Sequence, residues 1–281
     1  MTYFGFLLRF LVIPILILLA VALWDRRQGR QRDALLRGVS IWAAIALHVV
    51  IALIYTTPWD NYLVATGVWW YDPAKVTGLT LGWVPIEEYT FFVLQPILGG
   101  LWLAFLARRL PAKPEPLRAS LRLWLPAALG VVWLGSVALL ISGWDPGTYL
   151  GLQLVWALPP IMLQLAFGAD ILWRHRRLVA WAIIPLTLYL SATDTLAIAG
   201  GTWTIDPAQS LNIYLGGILP LEELLFFLFT NILVTFGIVL LWAEASHARV
   251  TAMIAWWRGR EWRTPGQSPN QPAAPLPERM E

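Results

Sequence analysis

Two short stretches concentrate the chemistry of this chain. Pro85-Ile86-Glu87-Glu88-Tyr89-Thr90-Phe91-Phe92 is echoed by Pro220-Leu221-Glu222-Glu223-Leu224-Leu225-Phe226-Phe227, and each opens an apolar run. Four carboxyl groups beside hydrocarbon are costly, and an ionisable group at membrane depth is a candidate for function. Adjacent like charges in a poorly solvated place leave one carboxyl protonated near neutral pH. Such a group at the edge of an apolar cavity can give its proton to an apolar substrate. Tyr89, Phe91, Phe92, Phe105, Phe226, Phe227 and Phe229 offer π faces on the same segments, able to stabilise a developing carbocation; ordinary packing is the plainer reading for any one of them. Capping is the plainer role for the acids, since Pro suits a helix's first turn and Glu complements its positive end. Duplication, paired carboxylates and a Phe pair one turn on favour a site.

Other acids are weaker candidates. Asp60 and Asp194 each follow an apolar run at the same repeat position, as interfacial caps or as site residues, while Asp72 and Asp206 precede Pro and read as turn initiators. His48 has no counterpart at position 182, which is Ala, and reads as a satisfied interior histidine; Asp170 is placed to pair with Arg174 one turn on.

The elements that must position these groups are membrane helices. The 281 residues are 58% hydrophobic and 13% charged, against about 25% charged in soluble domains, with a mean hydropathy of +0.62. A bilayer crossing needs roughly 20 apolar residues. Seven runs qualify: 3–24, 36–55, 84–107, 121–142, 149–173, 179–199 and 215–242. The first carries Arg9 and no small-residue cleavage site after it, so it reads as an uncleaved helix rather than a signal peptide.

Basic residues collect on every second connection: Arg26, Arg27, Arg30, Arg32 and Arg37 after run one, and Arg108, Arg109, Lys113, Arg118 and Arg122 after run three. Arg174, Arg176 and Arg177 follow run five, and Arg249, Arg258, Arg260, Arg263 and Arg279 follow run seven. By the positive-inside rule the chain is expected to be a multi-pass cell-membrane protein, N-terminus out and C-terminus in. The basic excess is thus a topology signal, not a nucleic-acid one. Most of the acids fall on the opposite side. Trp24, Trp59, Trp69, Trp70, Trp83, Trp144, Trp173, Trp203 and Trp242 lie near span ends, where interfacial belts are expected. With no cysteine there is no disulfide, thiolate nucleophile or Cys-ligated metal. The Pro- and Gln-rich tail from Thr264 to Glu281 is expected to be disordered and cytoplasmic.

Offsetting the chain by 134 residues pairs Asp60 with Asp194, Gly67 with Gly201, Trp69 with Trp203 and Asp72-Pro73 with Asp206-Pro207; one insertion then pairs Glu87 with Glu222 and Glu88 with Glu223. The chain therefore reads as an all-α membrane protein of two three-helix units, residues 1–110 and 148–245. A linker with helix four (111–147) joins them and a basic segment with tail (246–281) follows. The unmatched fourth helix restores orientation, so the repeats are parallel, unlike the inverted repeats of many transporters, and both motifs share one side.

These motifs resemble those of the CarR-type lycopene cyclase domain family, found as two small subunits, as a fused chain, and as the cyclase half of fungal bifunctional enzymes. The resemblance covers residues 1–245 and rests on Pro85-Ile86-Glu87-Glu88 and Pro220-Leu221-Glu222-Glu223, with the Asp-to-Trp linker pattern. It implies redox-neutral cyclisation of lycopene, or of longer C45 or C50 carotenoids, to β-ionone rings, without a bound cofactor, a metal or a second cyclase subunit. Glu87 and Glu222 match the signature glutamates and are expected as the acid and its partner, with Glu88 and Glu223 tuning or relaying the proton. Asp60, Asp194 and the motif aromatics are expected to line the substrate.

Other classes fit less well. A retinal protein needs a lysine in its last helix, yet Lys75 and Lys113 are both in connections. A proton-coupled transporter remains an alternative use of the paired acids, although parallel repeats and acids at helix ends count against it. A prenyltransferase would want closely spaced Asp pairs on helices, which the chain lacks.

Overall fold

A computed structural model of the chain describes residues 1–30, 34–36, 38–111 and 116–261. Arg32, Arg37, Lys113, Arg263, Arg279 and the tail from Thr264 lie outside the described residues. The described chain is mostly helical, with seven helices long and apolar enough to cross a membrane. They are α1 (Tyr3–Arg27), α2 (Ile41–Ala65), α3 (Ile86–Ala107), α4 (Leu121–Ile141), α5 (Thr148–Arg174), α6 (Arg176–Ala199) and α7 (Leu221–Trp242). A shorter, more polar helix, α8 (Glu244–Glu261), spans most of the stretch that reads in sequence as a basic segment.

Two helices depart from the hydropathy reading for identifiable reasons. Helix α2 runs ten residues beyond the apolar run, through Pro58 and Asp60, because hydropathy marks where a helix meets lipid, not where its hydrogen bonding stops. Thr57 supports the proline turn by donating to the Leu53 carbonyl at 2.5 Å. Helix α1 contains a π-helical turn over Leu8–Val12 just before Pro14, whose missing N–H frees a carbonyl one turn back.

Helix α3 is the most enclosed of the seven and packs against α1, α2, α6 and α7. A polar bridge ties three of these at mid-depth: Gln95 donates to Asn231 at 2.9 Å and Asn231 to Thr187 at 3.1 Å, the interhelical bonding that replaces a hydrophobic drive within lipid. Helix α4 packs on α5 and buries only Ser136, as suits a connector. Ion pairs fasten the ends opposite the acidic motifs. Asp25, fully buried, receives Arg108 at 2.9 Å and Arg109 at 2.8 Å. Asp170 pairs with Arg249 of α8 at 2.6 Å and more loosely with Arg122 of α4 at 3.7 Å, so it also ties its helix to two others.

Between α2 and α3, and again between α6 and α7, the linkers form small strands. β1 (Trp69–Tyr71) pairs antiparallel with β4 (Trp203–Ile205), Trp70 opposite Thr204, so one ribbon joins both linkers. Hairpins β2 (Thr80–Leu81) with β3 (Val84–Pro85), and β5 (Tyr214–Leu215) with β6 (Leu219–Pro220), then deliver each motif proline to its helix. Gly82 turns the first hairpin at φ +69°, and a side chain there would also strike Asn61. Asp72 accepts from the Ala74 N–H and Asp206 from the Ala208 N–H, both at 3.0 Å: the expected Asp-Pro turns.

Candidate active site

Each hairpin ends on the motif proline, which is also the N-cap of the helix that follows. Successive helical residues diverge by about 100°, whereas residues three and four apart share a face. The two glutamates of a motif therefore point different ways. Glu87 is turned under its linker and accepts the Thr77 N–H at 2.7 Å. Glu222 does the same, accepting the Leu211 N–H at 2.7 Å and the Ser210 hydroxyl at 3.2 Å. Glu88 shares a face with Phe91 and Phe92, and Glu223 with Phe226 and Phe227; all six line one partly open chamber of about 50 Å³.

The chamber draws on both halves. Asp60 from α2 and Asp194 from α6 complete a set of four carboxyl groups, and Tyr3, Phe6, Trp59, Trp69, Tyr71, Tyr149, Trp203 and Ile205 supply the remaining walls. Among the described residues no lysine, arginine or histidine lines it. Asp60 lies within electrostatic reach of Glu88, Asp194 of Glu223 and Glu88, and Glu223 of Glu88. Phenols hold the glutamates: Tyr3 and Tyr71 both donate to Glu88 Oε2, the latter at 3.1 Å, and Tyr149 donates to Glu223 Oε1 at 2.7 Å. Trp203 Nε1–H donates to Asp194 Oδ1 at 3.0 Å. Burial, then the neighbouring Glu88 and Asp60, push the Tyr71 hydroxyl well above its usual value, so it remains a donor at neutral pH. Trp59 stacks on Trp156 at 4.5 Å and on Phe226 at 6.1 Å, forming a continuous aromatic wall.

The sequence-derived candidates divide accordingly. Asp60, Asp194, Glu88, Glu223, Phe91, Phe92, Phe226 and Phe227 meet in the chamber, while Glu87 and Glu222 hold the linkers. Tyr89 is outside it, donating to the Leu81 carbonyl at 2.7 Å and accepting from Asn61. Phe105 lies at the far end of α3, stacked on Trp102 beneath Arg109. Of the expected tryptophan belt, Trp59, Trp69 and Trp203 instead face the chamber and Trp242 is fully buried, whereas Trp24, Trp70, Trp83, Trp144 and Trp173 are exposed.

A sequence model described as lycopene cyclase matches residues 1–106 and 146–257. A lycopene beta-cyclase of Halobacterium salinarum is 43% identical over 198 residues, covering 70% of this chain and 81% of that protein. The chain belongs to the lycopene cyclase family. Bifunctional lycopene cyclase/phytoene synthases are also similar: that of Aspergillus oryzae is 35% identical over 207 residues, and that of Podospora anserina 38% over 200. Those matches cover 70% and 67% of this chain but only 34% and 33% of the fungal proteins. No solved structure matches the chain.

Every chamber residue of this lycopene cyclase family member falls within the two matched segments, and the unmatched stretch between them contains α4. Tyr3, Phe6, Tyr71 and Tyr149 were not singled out by the motifs. Tyr3 and Tyr149 sit near the starts of α1 and α5, but 146 residues apart against 135 for Glu88 and Glu223, so self-alignment does not pair them. The 134-residue offset differs at one telling point: Tyr71, a donor to Glu88, falls on Ile205.

Proposed function

We propose that this chain is a lycopene β-cyclase that converts linear carotenoid ends to β-ionone rings without net redox change. The observation that carries the reading is a chamber with four carboxyl groups, of which Asp60, Asp194 and Glu223 are buried and Glu88 half-buried, with aromatic walls and, among the described residues, no cationic side chain. Four uncompensated negative charges in so small a space would be prohibitively costly, so the cluster keeps protons to give. A carboxyl protonates the terminal double bond, leaving a tertiary cation; the nearby internal alkene attacks it and closes the ring. Loss of a ring proton to a carboxylate then gives the product, so one proton enters and one leaves. Trp59, Phe91, Phe92, Phe226 and Phe227 present ring faces to the cations and exclude water that would trap them.

Glu223, held by the single phenol Tyr149, is the proton donor in this reading, and Glu88, held by Tyr3 and Tyr71, recovers the ring proton. Asp60 and Asp194 relay protons between them. Glu87 and Glu222 act indirectly, by fixing the linkers. The substrate is lycopene or a related linear carotenoid reaching the chamber from the bilayer.

The same reading takes residues 1–110 and 148–245 as parallel repeats joined by helix four, lying N-out and C-in in the cell membrane. The shared linker pattern and the basic residues on alternate connections support it. Both acidic motifs belong to one chain, so no second cyclase subunit is required.

The test is expression in lycopene-accumulating cells followed by pigment analysis. Formation of γ- or β-carotene is expected. Persistence of lycopene beside well-inserted protein would defeat the reading, and longer carotenoids would then be tried.

A further inference from the structure

A second and larger cavity, of about 510 Å³, lies between α2, α5, α7 and α8. Ile51 from α2, Gln164 and Phe167 from α5, Leu240 from α7, and Ser246 and Val250 from α8 help to line it. It is far from the acid chamber but shares α2, α5 and α7 with it. At 1.5 Å per residue, Asp60 and His48 are roughly 18 Å apart along α2, and Glu223 and Leu241 roughly 27 Å apart along α7. That separation approaches the roughly 30 Å thickness of a bilayer's hydrocarbon layer.

The chamber, at about 50 Å³, can take only the end of a C40 polyene. The rest must lie along the bundle. Side chains cross from α2 to α5 next to the chamber, where Tyr55 donates to the Trp156 carbonyl at 2.9 Å and Trp59 to the Leu152 carbonyl at 3.1 Å. Farther along α2, Ile54 and Ile51 offer exposed apolar surface, and Ile51 lines the larger cavity.

The cavity is not wholly apolar. Ser246 Oγ and Gln164 Oε1 are buried without a hydrogen-bond partner among the described residues, and both side chains line it. Buried polar atoms are normally paired. A hydroxyl group would satisfy both, donating to Gln164 and accepting from Ser246.

We propose that this cavity receives the far, uncyclised end of a linear carotenoid whose near end is in the acid chamber, and that it favours a far end bearing a hydroxyl group. The inference rests on the cyclase reading above. It makes the second cavity a determinant of which carotenoids are cyclised, and favours products with one ring and an intact hydroxylated end.

The experiment uses the full chain in liposomes with three substrates: lycopene, a linear carotenoid with a tertiary hydroxyl at one end, and a linear carotenoid truncated so that it cannot reach the cavity. The parent should prefer the hydroxylated substrate over lycopene by about fivefold in kcat/KM, the worth of one net hydrogen bond, and Ser246→Ala should abolish that preference. Val250→Trp, which fills the cavity, should lower the ratio of full-length to truncated turnover by about tenfold. Misfolding would depress both substrates together and leave that ratio unchanged. Equal use of lycopene and its hydroxylated analogue by the parent, or a ratio unchanged in properly inserted Val250→Trp protein, would overturn the proposal while leaving the cyclase reading intact. Failure of the parent to cyclise any of the three would overturn both.

Discussion

Substituting each of the four motif glutamates by glutamine separates the chamber pair from the linker pair. Glutamine keeps the shape and an acceptor oxygen, so Glu223→Gln can still receive the Tyr149 hydroxyl, now 2.7 Å from the carboxylate, but it has no acidic proton. General acid–base catalysis contributes roughly a hundredfold to ten-thousandfold, or about 2.7 to 5.4 kcal/mol of barrier. Glu223→Gln and Glu88→Gln should lose at least that hundredfold in kcat. Glu222→Gln retains an oxygen for the Leu211 N–H and the Ser210 hydroxyl, losing only the charge assistance of those bonds, about 1 kcal/mol or fivefold. Glu87→Gln, with one such bond from Thr77, should lose no more. The assay is the initial rate of ring formation in membranes supplied with lycopene, measured by pigment chromatography and normalised to inserted protein. If Glu87→Gln and Glu222→Gln proved the more damaging pair, the assignment of chamber and linker roles would be refuted.

Tyr149→Phe removes the only phenol bonded to Glu223 and should lower kcat by about tenfold with little change in KM, whereas Tyr3→Phe should cost less because Tyr71 still serves Glu88; single-turnover kinetics would check both. Arg109→Ala strips two hydrogen bonds from the buried Asp25 and should destabilise the protein by about 3 kcal/mol, read as lower thermal stability in detergent. Because the chain has no native cysteine, single cysteines placed at Gly29 and Lys75 can be labelled without background. An impermeant reagent on intact cells should reach position 75 and not position 29. Asp72 is half-buried in a linker turn, and the Ala74 N–H and then Lys75 hold its carboxyl below the usual 3.8. A lowered folded value means its contribution is complete above that ordinary value and lost as pH falls through the folded one, so amide exchange in the linker should quicken only below about pH 4.

The helices were legible because lipid demands long apolar runs, and the Asp-Pro turns because local hydrogen bonding fixes them. The partition of each glutamate pair was not. Glu87 and Glu88 are chemically equivalent in sequence, and which one enters the chamber depends on the rotation of α3, set by its packing against four other helices. Trp69 and Trp203 looked like interfacial anchors since both lie at span ends; the β1–β4 ribbon, only three residues per strand, carries them inward and leaves no periodicity to read. Tyr3 and Tyr149 escaped notice because an aromatic residue in a helix's first turn is unremarkable until the carboxyl group opposite is seen.

The chamber walls run from Tyr3 to Phe227, so the site cannot close while the chain is still being made. Asp60 and Glu88 are synthesised 134 and 135 residues ahead of their counterparts Asp194 and Glu223. At about 5–20 residues per second, that is a delay of roughly seven to twenty-seven seconds, in which the early carboxyl groups have neither the β1–β4 ribbon nor the second aromatic wall. Helix α4, which contributes nothing to the chamber, occupies part of that interval. Its translation rate is thus a clock on how long a half-built acidic site stands open to quality control in the membrane.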